Sequence, residues 1–530
     1  MTLRSVPIDV PSLLARIYVP LQPLVRRVKL IRRGRRSYEP RDVLLPDGYV
    51  AEVVCGGLTA PVHACFGPRG EMYVTESGHK SESPPRIYRV DPATGDKTLV
   101  VELGGERWVQ SGAATGAVWH ENDLYVANTD TILRVNPESG AVTDVVTGLP
   151  GKGDHQANHP VVGPDGKLYW GQGCVTNMGV VGSDNFGFEW LPKFPDMHDV
   201  PAQDITLAGR NYEVANVLGN PLEKVTSGAY QPFGTPTTFG QVVRGEAKAS
   251  GAILRADPYT GDVETVAWGL RNPYGIAFTN DGRLYATEHG SDERGARFIV
   301  GDPDDFYEIE WGKWYGWPDF ASGIPLSDPS WGDGSQNTEP VLADFPDPNP
   351  PMPIASFETH TAANGFDFSR SAAFGFAGEA FVAMFGDLAP ITTARQVVPA
   401  GFKVVRVNPE SGEITDFAIN RVQGPASKLL HDGFERPSHC VFGPDGALYV
   451  VDFGEIKIAP EKGAIRIKQL TGAVWRIRRV DGVEAGVAPP EQLRVPFYPL
   501  QTLALVGIAA VAIGGVVALV GGLVRRVTRR

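Results

Sequence analysis

Cysteine is scarce in this 530-residue chain. Cys55, Cys65, Cys174 and Cys440 lie far apart, in neither a C-x-x-C nor a C-x-x-C-H pattern. That spacing excludes covalently attached c-type haem and a cysteine zinc site. Positive charge is also short: 49 Lys and Arg stand against 61 Asp and Glu, a net charge of -12, which excludes a general nucleic-acid binder. An export signal is lacking, because the apolar stretch from Val10 to Val25 is broken by Pro11, Arg16, Pro20 and Pro23. Long uncharged apolar runs are missing as well, until the C-terminus.

What is plentiful is glycine (62) and proline (44), spread evenly, a composition of short strands joined by turns rather than long helices. A turn followed by an alternating strand recurs at Phe66-Gly67-Pro68-Arg69-Gly70, at Trp119-His120-Glu121-Asn122-Asp123 and at Gly163-Pro164-Asp165-Gly166. It returns at Thr279-Asn280-Asp281-Gly282, more weakly at Phe374–Val382, and at Gly443-Pro444-Asp445-Gly446. A second element, strand then Asp/Asn-Pro-x-x-Gly, recurs at Ile87–Gly95, Ile132–Gly140, Ile253–Gly261 and Val404–Gly412. Two interleaved motifs at about 40–50 residues predict an all-β fold, a six-bladed β-propeller. Residues 175–250 and 291–350 read as long loop insertions that roof a site on one face.

The ends differ. Residues 1–48 form a basic N-terminal arm, 49–482 the propeller, and 483–499 a linker. Residues 500–524 carry no charge and are long enough for one transmembrane helix, closed by the basic tail 525–530. The terminal arginines predict a membrane-anchored protein with the propeller on the extracytoplasmic side, an orientation the missing export signal contradicts.

Three stretches carry chemistry. In Gly153-Asp154-His155-Gln156, a histidine beside a carboxylate suits a general base, as well as an ordinary loop histidine. Arg271-Asn272-Pro273-Tyr274-Gly275 places a planar cationic fork just before a strand, where it either faces the central funnel or ties neighbouring blades. Thr287-Glu288-His289-Gly290-Ser291 and the acidic run Asp302–Glu310 offer oxygen ligands for a hard cation, or a solvated loop.

With Tyr315-Gly316-Trp317-Pro318, these motifs resemble the PQQ-dependent soluble glucose, aldose and sorbosone dehydrogenases over residues 50–480. The resemblance implies pyrroloquinoline quinone and calcium above the funnel, and oxidation of a sugar or polyol hydroxyl by hydride transfer. Electrons then leave to an external acceptor, a quinone or cytochrome. It implies His155 as base, oriented by Asp154, with Arg271 polarising the quinone. Gln156, Asn272, Tyr274, Lys403 and Arg436 would contact cofactor. The carbonyls of Gly290 and Ser291 would hold the catalytic calcium, and Asp305, Glu308 and Tyr315 a structural one. Tyr274 stands where the family often has glutamine, Ser291 where it has proline, and Ser438 where a second cofactor-binding arginine is usual. Two alternatives stand beside this reading: a non-catalytic carbohydrate- or protein-binding propeller, and a calcium-dependent lactonase. The lactonase would need Asp, Glu or Asn ligands converging from several blades.

Overall fold

Alternating apolar residues pair into six antiparallel blade sheets, five of four strands and one of five, in the computed structural model. It describes residues 36–492, except 82, 105–112, 333–337, 394–398, 430 and 460–463. The first blade is built from Pro61–Phe66, Met72–Glu76, Arg86–Val90 and Lys97–Glu102. The second runs from Ala114 to Val146, and the third begins at Val161–Val162 and Leu168–Gln172. Pro273–Phe278 and Leu284–Glu288 open the fourth, Ala363–Phe368 the fifth, and Pro437–Phe442 and Leu448–Asp452 the sixth. Each predicted Gly-containing turn joins the first two strands of a blade. Each Asp/Asn-Pro-x-x-Gly turn joins the last two.

The ring is closed by exchange between the ends. Tyr49–Leu58 is the outermost strand of the sixth blade, paired with Gly472–Arg479 from Tyr49 opposite Arg479 to Leu58 opposite Gly472. The folded unit also reaches further back than residue 49. Val43–Leu44 adds a fifth strand to the fifth blade. Arg36, part of the basic arm, has its side chain 5% exposed and ion-pairs Asp452 at 2.7 Å while donating to the carbonyls of Gly433 and Thr471.

One local device recurs. The innermost strands of three blades start at Pro61, Pro273 and Pro437, each opposite an acidic residue ending the second strand: Glu76, Glu288 and Asp452. The proline has no N–H to give the sheet. The acid instead accepts the N–H groups just before it: Thr59 on Glu76, Arg271 and Asn272 on Glu288, and Glu435 and Arg436 on Asp452.

The insertion at 175–250 is structured, with two hairpins pairing Ile205–Ala208 with Phe239–Val243 and Asn211–Ala215 with Lys224–Gly228. The run Asp302–Glu310 is not a loop. Pro303–Ile309 is the third strand of the fourth blade, so the second insertion divides around it. A third excursion, unread in the sequence, is the hairpin Ile456–Ala459 with Ala464–Ile467 in the sixth blade. No helix among the described residues is long and apolar enough to cross a membrane. The stretch 500–524, the tail 525–530 and residues 1–35 of the arm lie outside the described residues.

The Asp452 carboxylate is fully buried and its partner's side chain nearly so, and removing one partner of such a pair strands the other charge at a cost of about 3–5 kcal/mol. Arg36→Ala therefore lowers the urea midpoint by an amount equivalent to about 3 kcal/mol. Arg41→Ala, which removes an exposed pair with Glu39, leaves the midpoint unchanged.

Candidate active site

The carboxyl of Glu288 holds the backbone of Arg271 and Asn272 at the top of the fourth blade, and so aims both side chains into a cavity over the propeller axis. The cavity measures about 290 Å³, at the lower end of small-molecule sites. Its walls differ in character. Asp154, His155, Arg271, Asn272, His289 and Arg294 form a polar side. Val62, Phe385, Phe453, Ile456, Ile465 and Ile467 form an apolar one, the last three supplied by the sixth-blade hairpin.

His155 sits on a segment that extends the third blade, with Asp154 N–H on the Val175 carbonyl at 2.9 Å and Gly173 N–H on the Gln156 carbonyl at 3.1 Å. Gly173 is required there, since a Cβ would collide with His155 and with Asn272 Oδ1. His155 Nδ1 lies 2.9 Å from the Cys174 carbonyl. A carbonyl only accepts, so Nδ1 carries the proton and Nε2 keeps its lone pair. Burial, then the positive charge of Arg271, pushes the imidazole down to about 3, so it is neutral at physiological pH.

The expected orienting partner of His155 is corrected by this geometry. Asp154 does not bond the imidazole. Its carboxylate is committed to Arg294 at 2.6 Å, Trp190 Nε1 at 2.7 Å and Asn185 at 3.1 Å. Arg294 in turn bonds Asp184 and Asp292 and lies over the Phe188 ring, with Lys80 on the same ring 6.0 Å away. Arg271 donates to the Asn177 carbonyl and amide oxygen and to the Gly290 carbonyl at 2.8 Å, so its fork is fixed and its charge faces the cavity. Asn177 comes from the insertion, which thereby braces the site as well as roofing it.

Beside them runs a chain of neutral groups. Asn158 donates to Asn272 Oδ1 at 3.0 Å, and Asn272 Nδ2 meets His289 Nδ1 at 2.9 Å. His289 Nε2 meets Asn364 Oδ1 at 3.0 Å. The tautomer follows: His289 accepts at Nδ1 and donates from Nε2. Tyr274 stacks on His289 at 5.2 Å and lines the cavity, as does Gln156.

Other expected residues lie elsewhere. Lys403 pairs with Asp416 at 2.8 Å on the third strand of the fifth blade, off the cavity. Arg436 is buried behind Phe385, its guanidinium against Phe385 and Phe402 and on the Gly386 carbonyl at 2.7 Å. Ser438 is spent on the Pro61 and Val451 carbonyls. The expected structural calcium set does not converge. Asp305 and Glu308 are three apart on one strand and so face opposite sides. Asp305 accepts from Ser322, Ser356 and Tyr307, Glu308 from Tyr285, and the Tyr315 hydroxyl donates to the Glu308 carbonyl. Gly290 lines the cavity; Ser291 is buried beneath it, its N–H on Asp302.

The cations that replace Lys403 and Arg436 at the cavity are Lys80 and Arg294, neither singled out in the sequence. Their carriers, Gly78-His79-Lys80 and Glu293-Arg294-Gly295, follow the second strands of the first and fourth blades. A search restricted to residues just beyond each Tyr-containing strand would have found both.

The family described as Glucose / Sorbosone dehydrogenase matches residues 231–389. Quinoprotein glucose dehydrogenase B of Acinetobacter calcoaceticus is 26% identical over 304 residues, 52% of this chain and 53% of that protein. The chain thus spans about half the length of this curated relative. Among solved structures, a calcium-containing Trichoderma reesei Carbohydrate-Active Enzymes Family AA12 protein aligns with TM-score 0.52 at 13% identity. It covers 84% of this chain and 98% of that one, a likeness of fold. The PQQ-bound aldose sugar dehydrogenase of Streptomyces coelicolor aligns with TM-score 0.45 at 18% identity over 82% of this chain and all of that one.

Cys174 lies 3.7 Å from His155 Nδ1, but burial holds its thiol well above the usual range, as it does for the other three buried, unbridged cysteines. None is a reactive thiolate. A thiol reagent should modify none of the four in the native protein and all four in denaturant.

Proposed function

We propose that this relative of the quinoprotein glucose dehydrogenases is itself a quinoprotein dehydrogenase oxidising a hydroxyl of a sugar or polyol. The observation that carries the reading is the tautomer of His155: its proton is pinned on the Cys174 carbonyl, and its lone-pair nitrogen belongs to a residue of the cavity wall. A neutral imidazole so fixed takes a hydroxyl proton without first losing one of its own.

The residues fit the cofactor's chemistry. Pyrroloquinoline quinone would supply a two-electron acceptor, and its carboxylates call for cations. Lys80, Arg271 and Arg294 would hold them, with Gln156, Asn272 and Tyr274 offering polar contacts. The apolar wall of Val62, Phe385, Phe453 and Ile456 suits the flat face of a ring system. For calcium, the Gly290 carbonyl stands at the cavity rim, already one bond committed to Arg271 but with a second lone pair. The amides of Asn158, Asn272 and Asn364 are committed to one another and to His289, and Asp304, which also lines the cavity, already accepts from Gly290, Thr361 and Ala363; that commitment counts against the lactonase reading.

The resulting division of labour is simple. His155 accepts the substrate proton. Arg271, whose ion-pair partner Asp292 stands back at 3.6 Å, supplies positive potential where negative charge develops. The hairpin with Ile456 and Ile467 excludes water from one side. Electrons pass to an external quinone or cytochrome. A membrane helix at 500–524, with the propeller outside the cytoplasm, would keep the protein near such acceptors.

The full chain is to be loaded with pyrroloquinoline quinone and calcium and assayed by dye reduction over a panel of aldoses and polyols. His155→Gln should lower kcat by about 10²–10⁴-fold with cofactor binding retained. Asp154→Asn, which loosens Arg294 without touching the His155 ring, should mainly weaken cofactor binding. Cofactor that neither binds nor stabilises the wild type overturns the proposal. Because His155 is held neutral down to about pH 3, kcat/KM should show no acid limb near 6.5. A limb at that pH in the profile would place the base elsewhere.

A further inference from the structure

Beneath the cavity floor, the propeller axis is filled by three histidines. Numbering each innermost strand from the residue opposite the end of its neighbour, the residue two places on is His63, Gly116, His159, Gly275, Gly365 and His439 in blade order. Six equivalent positions thus hold three imidazoles and three glycines. The glycines make the room. A Cβ on Gly116 would stand 2.5 Å from both His63 and His159, and one on Gly365 would strike the His439 ring.

The three rings meet, with centroids 4.6 Å apart for His63 and His159, 3.8 Å for His63 and His439, and 5.2 Å for His159 and His439. One nitrogen from each lies within 4.8 Å of those of the other two. All three residues are 5% exposed or less. Yet both nitrogens of His159, and Nδ1 of His63 and of His439, have no hydrogen-bond partner. Buried polar atoms are nearly always satisfied, and a cluster of orphaned lone pairs on one axis needs a common partner.

We propose that His63, His159 and His439 form a binding site for one divalent transition ion of borderline softness, zinc being the representative, on the propeller axis. Three imidazole ligands suit zinc, copper, nickel or iron rather than calcium, which takes oxygen. Burial keeps each ring neutral, His159 down to about 4 and the other two well below the usual histidine value, so no proton competes for the ligand nitrogens. Zinc bonds imidazole at about 2.0–2.1 Å, so the rings close slightly on the ion by rotation in the space the glycines leave. This site is separate from the cavity: Tyr274 stands between, its ring 6.1 Å from His159 and 5.2 Å from His289. The proposal does not depend on the dehydrogenase reading.

The test uses the full chain produced in medium supplemented with Zn²⁺ or Co²⁺, stripped of loosely held metal by a chelator, then measured by elemental analysis and X-ray absorption. The expected result is one retained ion per chain, with a nitrogen shell at about 2.0–2.1 Å and imidazole outer scattering. The cobalt form should show the strong visible bands of a four-coordinate site, one water completing the three imidazoles. His159→Asn and, separately, His439→Asn should each lower affinity by at least about 100-fold. Three results overturn the proposal: no ion retained after production with either metal, an oxygen shell, or retention unchanged in both variants. If either variant fails to fold, the wild-type absorption spectrum decides alone. A site of packed neutral imidazoles without metal predicts the first of these results.

Discussion

The carboxyl of Glu288 joins the fold to the chemistry. Buried at the end of a second strand, it receives the N–H groups of Arg271 and Asn272 just before Pro273. Burial pushes it up to about 8 despite those two donors. The propeller repeats this hinge with Glu76 and Asp452, where the residues it orients serve the scaffold: Thr59 in one blade, Glu435 and Arg436 in the other. Only in the fourth blade do the two residues held by the hinge line the cavity. A device that closes the sheets elsewhere here becomes the mount of a binding site.

Charge in the cavity is organised around Arg294 as much as around Arg271. Three carboxylates, Asp154, Asp184 and Asp292, surround the Arg294 guanidinium, and Arg271 lies 3.6 Å from Asp292. Two buried arginines this close would repel unless acids lay between them. The acids thus neutralise the two guanidinium groups, so the cluster stays folded without an anion, and Lys80 adds a further cation at the cavity. Asp154 belongs to this lattice rather than to a catalytic pair.

The propeller was legible because its turns repeat in sequence: Gly-Pro-Asp-Gly and Asn-Pro-Glu-Ser-Gly need no tertiary information to be recognised. His155, Arg271 and Asn272 were legible for the same reason, since each precedes a recognisable strand. What failed was reach. Asp154 is adjacent to His155 in sequence, but at a bend in the chain its carboxylate turns to other partners than the imidazole. Its partners stand at residues 185, 190 and 294. The acidic run at 302–310 has the composition of a loop because its charge masks a strand whose acids are satisfied by Ser322, Ser356 and Tyr285. Lys403 and Arg436 match the family in position alone: Lys403 pairs with Asp416 within its blade, and Arg436 ties the sixth blade to Gly386 and Phe402.

The axial histidines show how a repeat conceals as well as reveals. His63 and His439 each sit two residues after a hinge proline, and His159 two after Ala157. Aligned blade against blade, they mark one geometric position, whereas read along the chain they are three unrelated histidines. Identical backbone at six places lets side chains differ freely, provided that bulk at one position is matched by its absence at another. Gly116 and Gly365 supply that absence, so the imidazoles and the glycines form one packing solution. A propeller therefore offers two convergence points for chemistry. The cavity mouth is built from loops that differ in length, and the axis from residues that differ only in kind. Insertions reshape the first without disturbing the second.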